Sequence, residues 1–161
     1  MPVRYSVGMH TLRNPKDCQD ILVRLQCICP DTPRGWGRMS APQMICHLRD
    51  GFLGVMGDVP MSQPSGFSWW RLTKPFAIYA PVEWPQGVPT RPEFDQLAGT
   101  ARPPAEFTAD VQGLLDAIER FSAQPRAFAF RPHPLFGVLS EREWMIWGYR
   151  HADHHLRQFG N

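Results

Sequence analysis

Apolar residues recur every three or four positions in four separate stretches of the chain, and this spacing constrains the fold most strongly. Such a period places the apolar side chains on one face of an α-helix. The stretches cover residues 14–29, 40–57, 106–123 and 140–159. No run of alternating polar and apolar residues between hairpin turns indicates a sheet. The sequence therefore predicts an all-α protein with four helices.

Local signals mark the ends of these predicted helices. Asn14 and Pro15 suit the start of the first helix, and Pro30 is expected to end it. The second helix begins with S-x-x-Q at Ser40 and the fourth with S-x-x-E at Ser140, and both are capping-box patterns. The remaining ends are indicated by Gly57, Pro125 and Gly160.

The stretch from about residue 58 to residue 105 differs from the rest of the chain. It holds nine of the 17 prolines, together with Trp69, Trp70 and Trp84. Proline blocks long helices there, whereas tryptophan is typical of packed segments. A connection of this length can span a bundle, so that helices two and three run parallel and helix four returns antiparallel to both. We therefore expect a single domain over residues 1–161, a four-helix bundle with a long Pro/Trp-rich crossover.

Composition excludes several classes of protein. A net charge of +2 is too small to indicate a partner such as nucleic acid or an anionic membrane surface. No segment reaches the roughly 18 apolar residues of a membrane span, and the N-terminus lacks the apolar core of an export signal. We expect a cytoplasmic protein. Its cysteines are interpreted as reduced core thiols, with a thiol role as the alternative; they are Cys18, Cys27, Cys29 and Cys46.

The motif H-x-x-H-H lies late in the fourth predicted helix. His151 and His155 are four residues apart and share a helix face, so both imidazoles can bind one metal ion. At about 100° per residue, both can point toward the bundle interior. His154 lies nearly opposite the apolar stripe, so it is expected at the surface or behind the ligands.

A third ligand is expected from another helix at the same depth. His47 is seven residues after Ser40, and the midpoint of His151 and His155 is seven residues before Gly160, so each lies about 10 Å from its helix end. If these two helices are antiparallel, the three imidazoles meet at one level. The sequence therefore predicts a divalent metal site formed by the three histidines, and imidazole suits Zn, Ni and Fe.

Other polar and aromatic residues are weaker candidates near this site. Either glutamine, Gln43 or Gln158, can accept a hydrogen bond from a ligand ring or simply face water. Asp50 and Asp153 are interpreted as solvated or ion-paired, and Trp144 and Trp147 as core residues, with the pocket wall as the alternative. His10 is assigned no metal role. His133 is interpreted as part of a proline-fixed turn, with covering the pocket mouth as the alternative.

Three motifs resemble the DinB/YfiT-like superfamily. M-S-A-P-Q-M-I-C-H-L-R-D at residues 39–50 resembles its second-helix motif. H-P-L-F-G-V-L-S-E-R-E-W at residues 133–144 and H-A-D-H-H-L-R-Q-F-G at residues 151–160 resemble one uncharacterised bacterial branch. The resemblance implies an up-down-down-up four-helix bundle, a homodimer, and divalent metal bound by His47, His151 and His155. It also implies a transferase or isomerase that uses a low-molecular-weight thiol.

Three functions are compatible with such a site. Three histidines leave at least one coordination position open, as in catalytic sites. The first hypothesis is metal-dependent transfer of a small thiol to an electrophile. The second is metal-dependent hydrolysis, and the third is a non-catalytic bundle that stores or senses metal or binds a partner. The sequence does not identify the metal or the small-molecule substrate.

Overall fold

The computed structural model describes residues 9–63, 69–88 and 90–161. In these ranges it has the α-helices α1 (Pro15–Gln26), α2 (Ala41–Met56), α3 (Lys74–Tyr79), α4 (Phe107–Ser122) and α5 (Glu141–Gln158). Short 3-10 helices cover Trp69–Thr73 and Pro92–Phe94. The described residues contain no β-strand, which confirms the all-α prediction. Within these ranges, no helix combines the length and the apolar character needed to cross a bilayer.

The four predicted helices correspond to α1, α2, α4 and α5. Ser40 and Ser140 both form the expected capping boxes at the starts of α2 and α5. Helix α1 ends at Gln26, earlier than the predicted residue 29. The amide of Cys27 already bonds to the carbonyl of Arg24, three residues back, which is the tighter pattern of a helix end.

Helix α3 is absent from the sequence-based prediction. Its proline, Pro75, lies in the first turn, where a missing backbone N–H costs no intrahelical hydrogen bond. Ile78 anchors the helix in the core, and Trp84 is half-buried with its indole N–H donating to the carbonyl of Ala77 at 2.7 Å. The side chains of the other two tryptophans of this segment, residues 69 and 70, lie outside the described part of the chain.

Helix α2 lies at the centre of the protein. Every residue in the range 44–52 is buried, because α4 and α5 pack on it and the Pro92–Phe94 turn covers a further side. A helix buried on all sides is apolar all round, as most of α2 is. Its contacts with α5 pair His47 with His155 and Gly51 with His151. Residue numbers therefore increase along α2 in the direction in which they decrease along α5, so the two helices are antiparallel.

The four cysteines occupy different environments. All are free thiols; Cys46 is buried, Cys18 is half-buried, and Cys27 and Cys29 are exposed. The interpretation as core thiols is therefore wrong for Cys27 and Cys29. Both follow the early end of α1 and flank Ile28, which is the side chain of this turn that enters the core.

Candidate metal centre

Three histidines from two helices meet in the interior. His47 comes from α2, and His151 and His155 lie one turn apart on α5. One ring nitrogen of each lies within 4.8 Å of the others. The ring centroids are 4.7 Å apart for His47 and His155, and 5.1 Å apart for His151 and His155. The structure thus brings together the three residues that the spacing and depth arguments selected.

The two closest ring nitrogens have a separation that suits a shared ligand. The Nε2 atoms of His47 and His151 are 3.3 Å apart. Two nitrogens on one tetrahedral metal ion, each bonded at about 2.0–2.1 Å, are about 3.3 Å apart. An N–H···N hydrogen bond between the rings has a similar length, so this distance alone does not distinguish it from a shared metal ion. The hydrogen bonds of the other ring nitrogens do.

The outer nitrogens of two rings have acceptors. Nδ1 of His47 lies 2.9 Å from the carbonyl oxygen of Phe94, and Nδ1 of His155 lies 3.0 Å from Oε1 of Gln158. An oxygen acceptor at Nδ1 places the proton there and leaves the Nε2 lone pair free for a metal. Metal-binding histidines usually have this outer hydrogen bond. Nδ1 of His151 is buried and has no hydrogen-bond partner among the described residues.

Of the two glutamine candidates, only Gln158 contacts a ligand ring. Its amide nitrogen donates to the carbonyl of Trp36 at 3.0 Å, which orients Oε1 toward His155. Gln43 instead completes the capping box of α2 and donates to the carbonyl of Gln96. The partner of His47 is a backbone carbonyl at the end of the 3-10 helix Pro92–Phe94, far along the chain, so no side-chain pattern in the sequence signals it.

Burial keeps the three imidazoles neutral. Desolvation is the largest cause that lowers the pKa of His47, His151 and His155 below the usual value for histidine. The pKa of His151 and of His155 is lowered further by neighbouring histidines, because two protonated rings at this distance would repel each other. The hydrogen bond to Phe94 opposes the effect in His47. Neutral imidazole is the form that binds metal, so protons compete weakly near neutral pH.

The three rings lie on the wall of a cavity of about 950 Å³. This volume is typical of a small-molecule site. Part of the wall comes from the Pro/Trp-rich connection, which contributes Trp84 and Phe94, and part from α5, which contributes Trp147. The site therefore faces a cavity with several aromatic side chains in its wall rather than a sealed core, and a small molecule can reach the histidines.

Of the two positions expected for His154, at the surface or behind the ligands, the surface is wrong. This residue is 7% exposed, its ring is 5.2 Å from that of His155, and it lines the same cavity. Trp36 and Trp84 cover it, with ring centroids 4.9 and 5.9 Å away. The helical wheel gave the correct direction away from the apolar stripe, but segments remote in sequence cover that face of α5.

The other predicted neighbours have structural roles. Trp147 is buried in the core and also forms part of the cavity wall. Asp50 is ion-paired with Arg49 at 2.9 Å, and Asp153 with Arg24 at 3.0 Å. Neither carboxylate belongs to the group of potential ligand atoms found among the described residues.

The two remaining histidines lie outside the cluster. His10 is exposed and paired with Asp17 at 2.9 Å. His133 is in the expected turn but is only 7% exposed and lines the cavity. The R-P-H-P-L-F-G motif signalled the turn, whereas its packing against the cavity depends on contacts with α5 that the motif does not encode.

One comparison with known proteins gives a match. Residues 37–161 match the family model described as a protein of unknown function, DUF1569. This range contains α2 through α5, and with them His47, His151 and His155. No curated protein and no solved structure matches the chain. The match covers well over half of the sequence, and the chain therefore belongs to the DUF1569 family.

Proposed function

We propose that His47, His151 and His155 bind one divalent metal ion and that the protein uses it to transfer a low-molecular-weight thiol to an electrophile. The observation that carries this proposal is the convergence of three neutral imidazoles on the wall of a cavity of about 950 Å³. A structural metal site is normally closed by four protein ligands. Three ligands beside a cavity favour a site that accepts a small molecule.

We further propose that the long helices form a bundle of the DinB/YfiT-like type. Arg49 of α2 pairs with Asp110 of α4, and Asp58, just beyond the end of α2, pairs with Arg120 of α4, so these two helices run in the same direction. Helix α1 packs on α4 and α5. This order is the one expected for two helices joined by a crossover, and it supports the resemblance seen in the sequence motifs.

The roles of the residues follow from the geometry. A divalent ion at the three histidines would supply Lewis-acid activation of a thiol. Phe94 and Gln158 hold two of the rings in the required tautomer and orientation. The aromatic wall binds the apolar part of the electrophile and excludes water. In the overall reaction a C–S bond forms, the S–H proton is released, and the leaving group departs from the carbon with its bonding electron pair.

Elemental analysis of purified protein tests the metal site. We expect about one equivalent of metal in the wild type and in His154→Ala. This control removes a buried ring beside His155 that is not in the cluster. We expect loss of the metal in His47→Ala, His151→Ala and His155→Ala, because two remaining imidazoles bind weakly. Stoichiometric metal in His155→Ala would remove that residue from the site.

Thiol consumption tests the activity. Metal-loaded protein is incubated with glutathione or cysteine and a panel of electrophiles such as 1-chloro-2,4-dinitrobenzene, and free thiol is measured. Faster thiol loss in the wild type than in His155→Ala supports transfer. Release of nitrophenol from 4-nitrophenyl acetate without thiol would indicate hydrolysis instead. Metal binding without either turnover would favour a storage or sensing role.

A further inference from the structure

His133 is held rigidly at the cavity by its own turn. Its backbone N–H and carbonyl both bond to Gly137, at 2.7 and 2.9 Å. Gly137 has a φ of 72°, a conformation that glycine adopts without strain and that closes this tight turn. The imidazole Nδ1 accepts hydrogen bonds from the backbone N–H groups of Leu135 and Phe136 at 3.1 and 3.2 Å. The ring also stacks on Phe136 at 4.5 Å. Both the backbone and the side chain are therefore fixed.

These contacts determine the tautomer of the ring. Because Nδ1 accepts two N–H groups, it must carry a lone pair, and the proton of the neutral ring is then on Nε2. Protonation would destroy both hydrogen bonds, which agrees with the burial that lowers the pKa of His133 to about 3. His133 therefore presents an N–H donor and no acceptor at its outer edge. No hydrogen bond from Nε2 to another described residue is present.

The donor edge and the metal-site histidines share one cavity. Nδ1 faces the turn, so Nε2, on the opposite edge of the ring, is the atom left to face the cavity that His133 lines. Trp147 packs against both rings, with its ring centroid 5.4 Å from that of His133 and 4.8 Å from that of His151, so the two imidazole centroids are at most about 10 Å apart. A small molecule can therefore reach both. The Nε2–H group has no acceptor among the described residues, so a bound molecule that supplies an acceptor at the cavity wall gains a hydrogen bond there.

We propose that the Nε2–H group of His133 is a substrate-binding donor that recognises a hydrogen-bond acceptor, such as a carbonyl oxygen, on a small molecule whose thiol binds at the three histidines. This rests on the proposed metal site. The substrate class is then a thiol with a hydrogen-bond acceptor along its chain. A cationic or donor-only group at that position is not recognised, because Nε2 offers no lone pair.

Cobalt-loaded protein and two pairs of thiols test this proposal. The acceptor thiols are the ethyl esters of 3-sulfanylpropanoic and 6-sulfanylhexanoic acid, and the chain-matched controls are 1-hexanethiol and 1-nonanethiol. The intensity of the cobalt–thiolate absorption gives each dissociation constant. We expect at least one ester to bind the wild type more tightly than its control. This preference should fall about tenfold in His133→Phe, which keeps the ring stack, and in His133→Asn. In the second variant the side-chain amide oxygen can still accept from the turn amides.

The outcomes separate the two proposals. A cobalt spectrum that the three histidine variants do not change would overturn the metal site and this inference with it. Normal cobalt and thiol binding with the same ester preference in both His133 variants would overturn only the role of His133. Nitrogen NMR of the metal-free wild type gives a test that needs no variant. We expect the proton of His133 on Nε2, and a proton on Nδ1 would overturn the proposal.

Discussion

Replacing Gly51 with alanine tests how closely α2 holds the metal-site histidines. A methyl group at this position would lie 3.2 Å from Cε1 of His151. Favourable carbon contacts are about 3.5–4.0 Å, so the ring must move away from α2 by about 0.3 Å or more. Trp147, whose ring centroid is 4.8 Å from that of His151, restricts the retreat. The movement takes His151 away from His47.

The expected loss of zinc affinity depends on how little displacement a metal–ligand bond tolerates. Metal–ligand distances are defined to about 0.2 Å, so a displacement of about 0.3 Å weakens one of three bonds. We expect zinc affinity to fall about tenfold, or about 1.4 kcal/mol. Alanine is a better helix former than glycine by about 1 kcal/mol, which offsets the tight contact in the metal-free protein. Metal-free stability should therefore change by no more than about 1 kcal/mol.

Two measurements separate these effects. Zinc affinity is measured by competition with a chelator, and metal-free stability by thermal or urea unfolding. Gly113→Ala in α4 is the matched control, because it makes the same change within a helix but meets Cδ of Arg49 at 3.3 Å instead of a ligand. It should leave zinc affinity unchanged. Wild-type zinc affinity in Gly51→Ala would refute the argument that helix spacing fixes the position of His151.

Three further changes probe the surroundings of the site. Gln158→Ala removes the acceptor of His155 Nδ1, and we expect a 10- to 100-fold loss of zinc affinity by chelator competition; an unchanged affinity would show that the contact is incidental. Arg49→Met removes the ion-pair partner of buried Asp50 and leaves Asp110 paired with the exposed Arg102 at 3.3 Å, so it should destabilise the protein by about 3–5 kcal/mol in urea unfolding, with zinc affinity retained. A loss below about 1 kcal/mol would contradict this. Metal-free protein should lose stability as pH falls below about 6.5. Histidines of the unfolded chain become protonated there, whereas in the folded protein burial lowers the pKa of a histidine such as His133 to about 3. Each such histidine contributes up to about 1.4 kcal/mol per pH unit, and urea midpoints that stay flat between pH 7 and 5 would refute this reasoning.

Features encoded by near neighbours could be predicted from the sequence. The capping boxes at Ser40 and Ser140 depend on residues three positions apart, and the structure forms both. The convergence of His47 with His151 and His155 followed from helical spacing and depth. These quantities depend on regular helix geometry, which the sequence period defines.

Features that depend on remote segments could not be predicted. His154 is buried because Trp36 and Trp84 cover it, and neither is near it in sequence. The carbonyl partner of His47 belongs to Phe94, and a backbone atom leaves no residue-type signal in the sequence. For His133, the sequence indicated the turn and gave a position at the pocket mouth only as an alternative, because the contact with the cavity depends on tertiary packing.

X-ray absorption at the zinc edge tests the central claim most directly, that three imidazoles from α2 and α5 bind one metal ion. The fine structure of zinc-loaded wild type should show nitrogen or oxygen ligands at about 2.0–2.1 Å, with the outer-shell scattering of three imidazole rings. Zinc added to His155→Ala, which we expect to bind it only weakly, should show the scattering of at most two rings. A sulfur shell at about 2.3 Å, or a wild-type spectrum in the variant, would contradict the site described here.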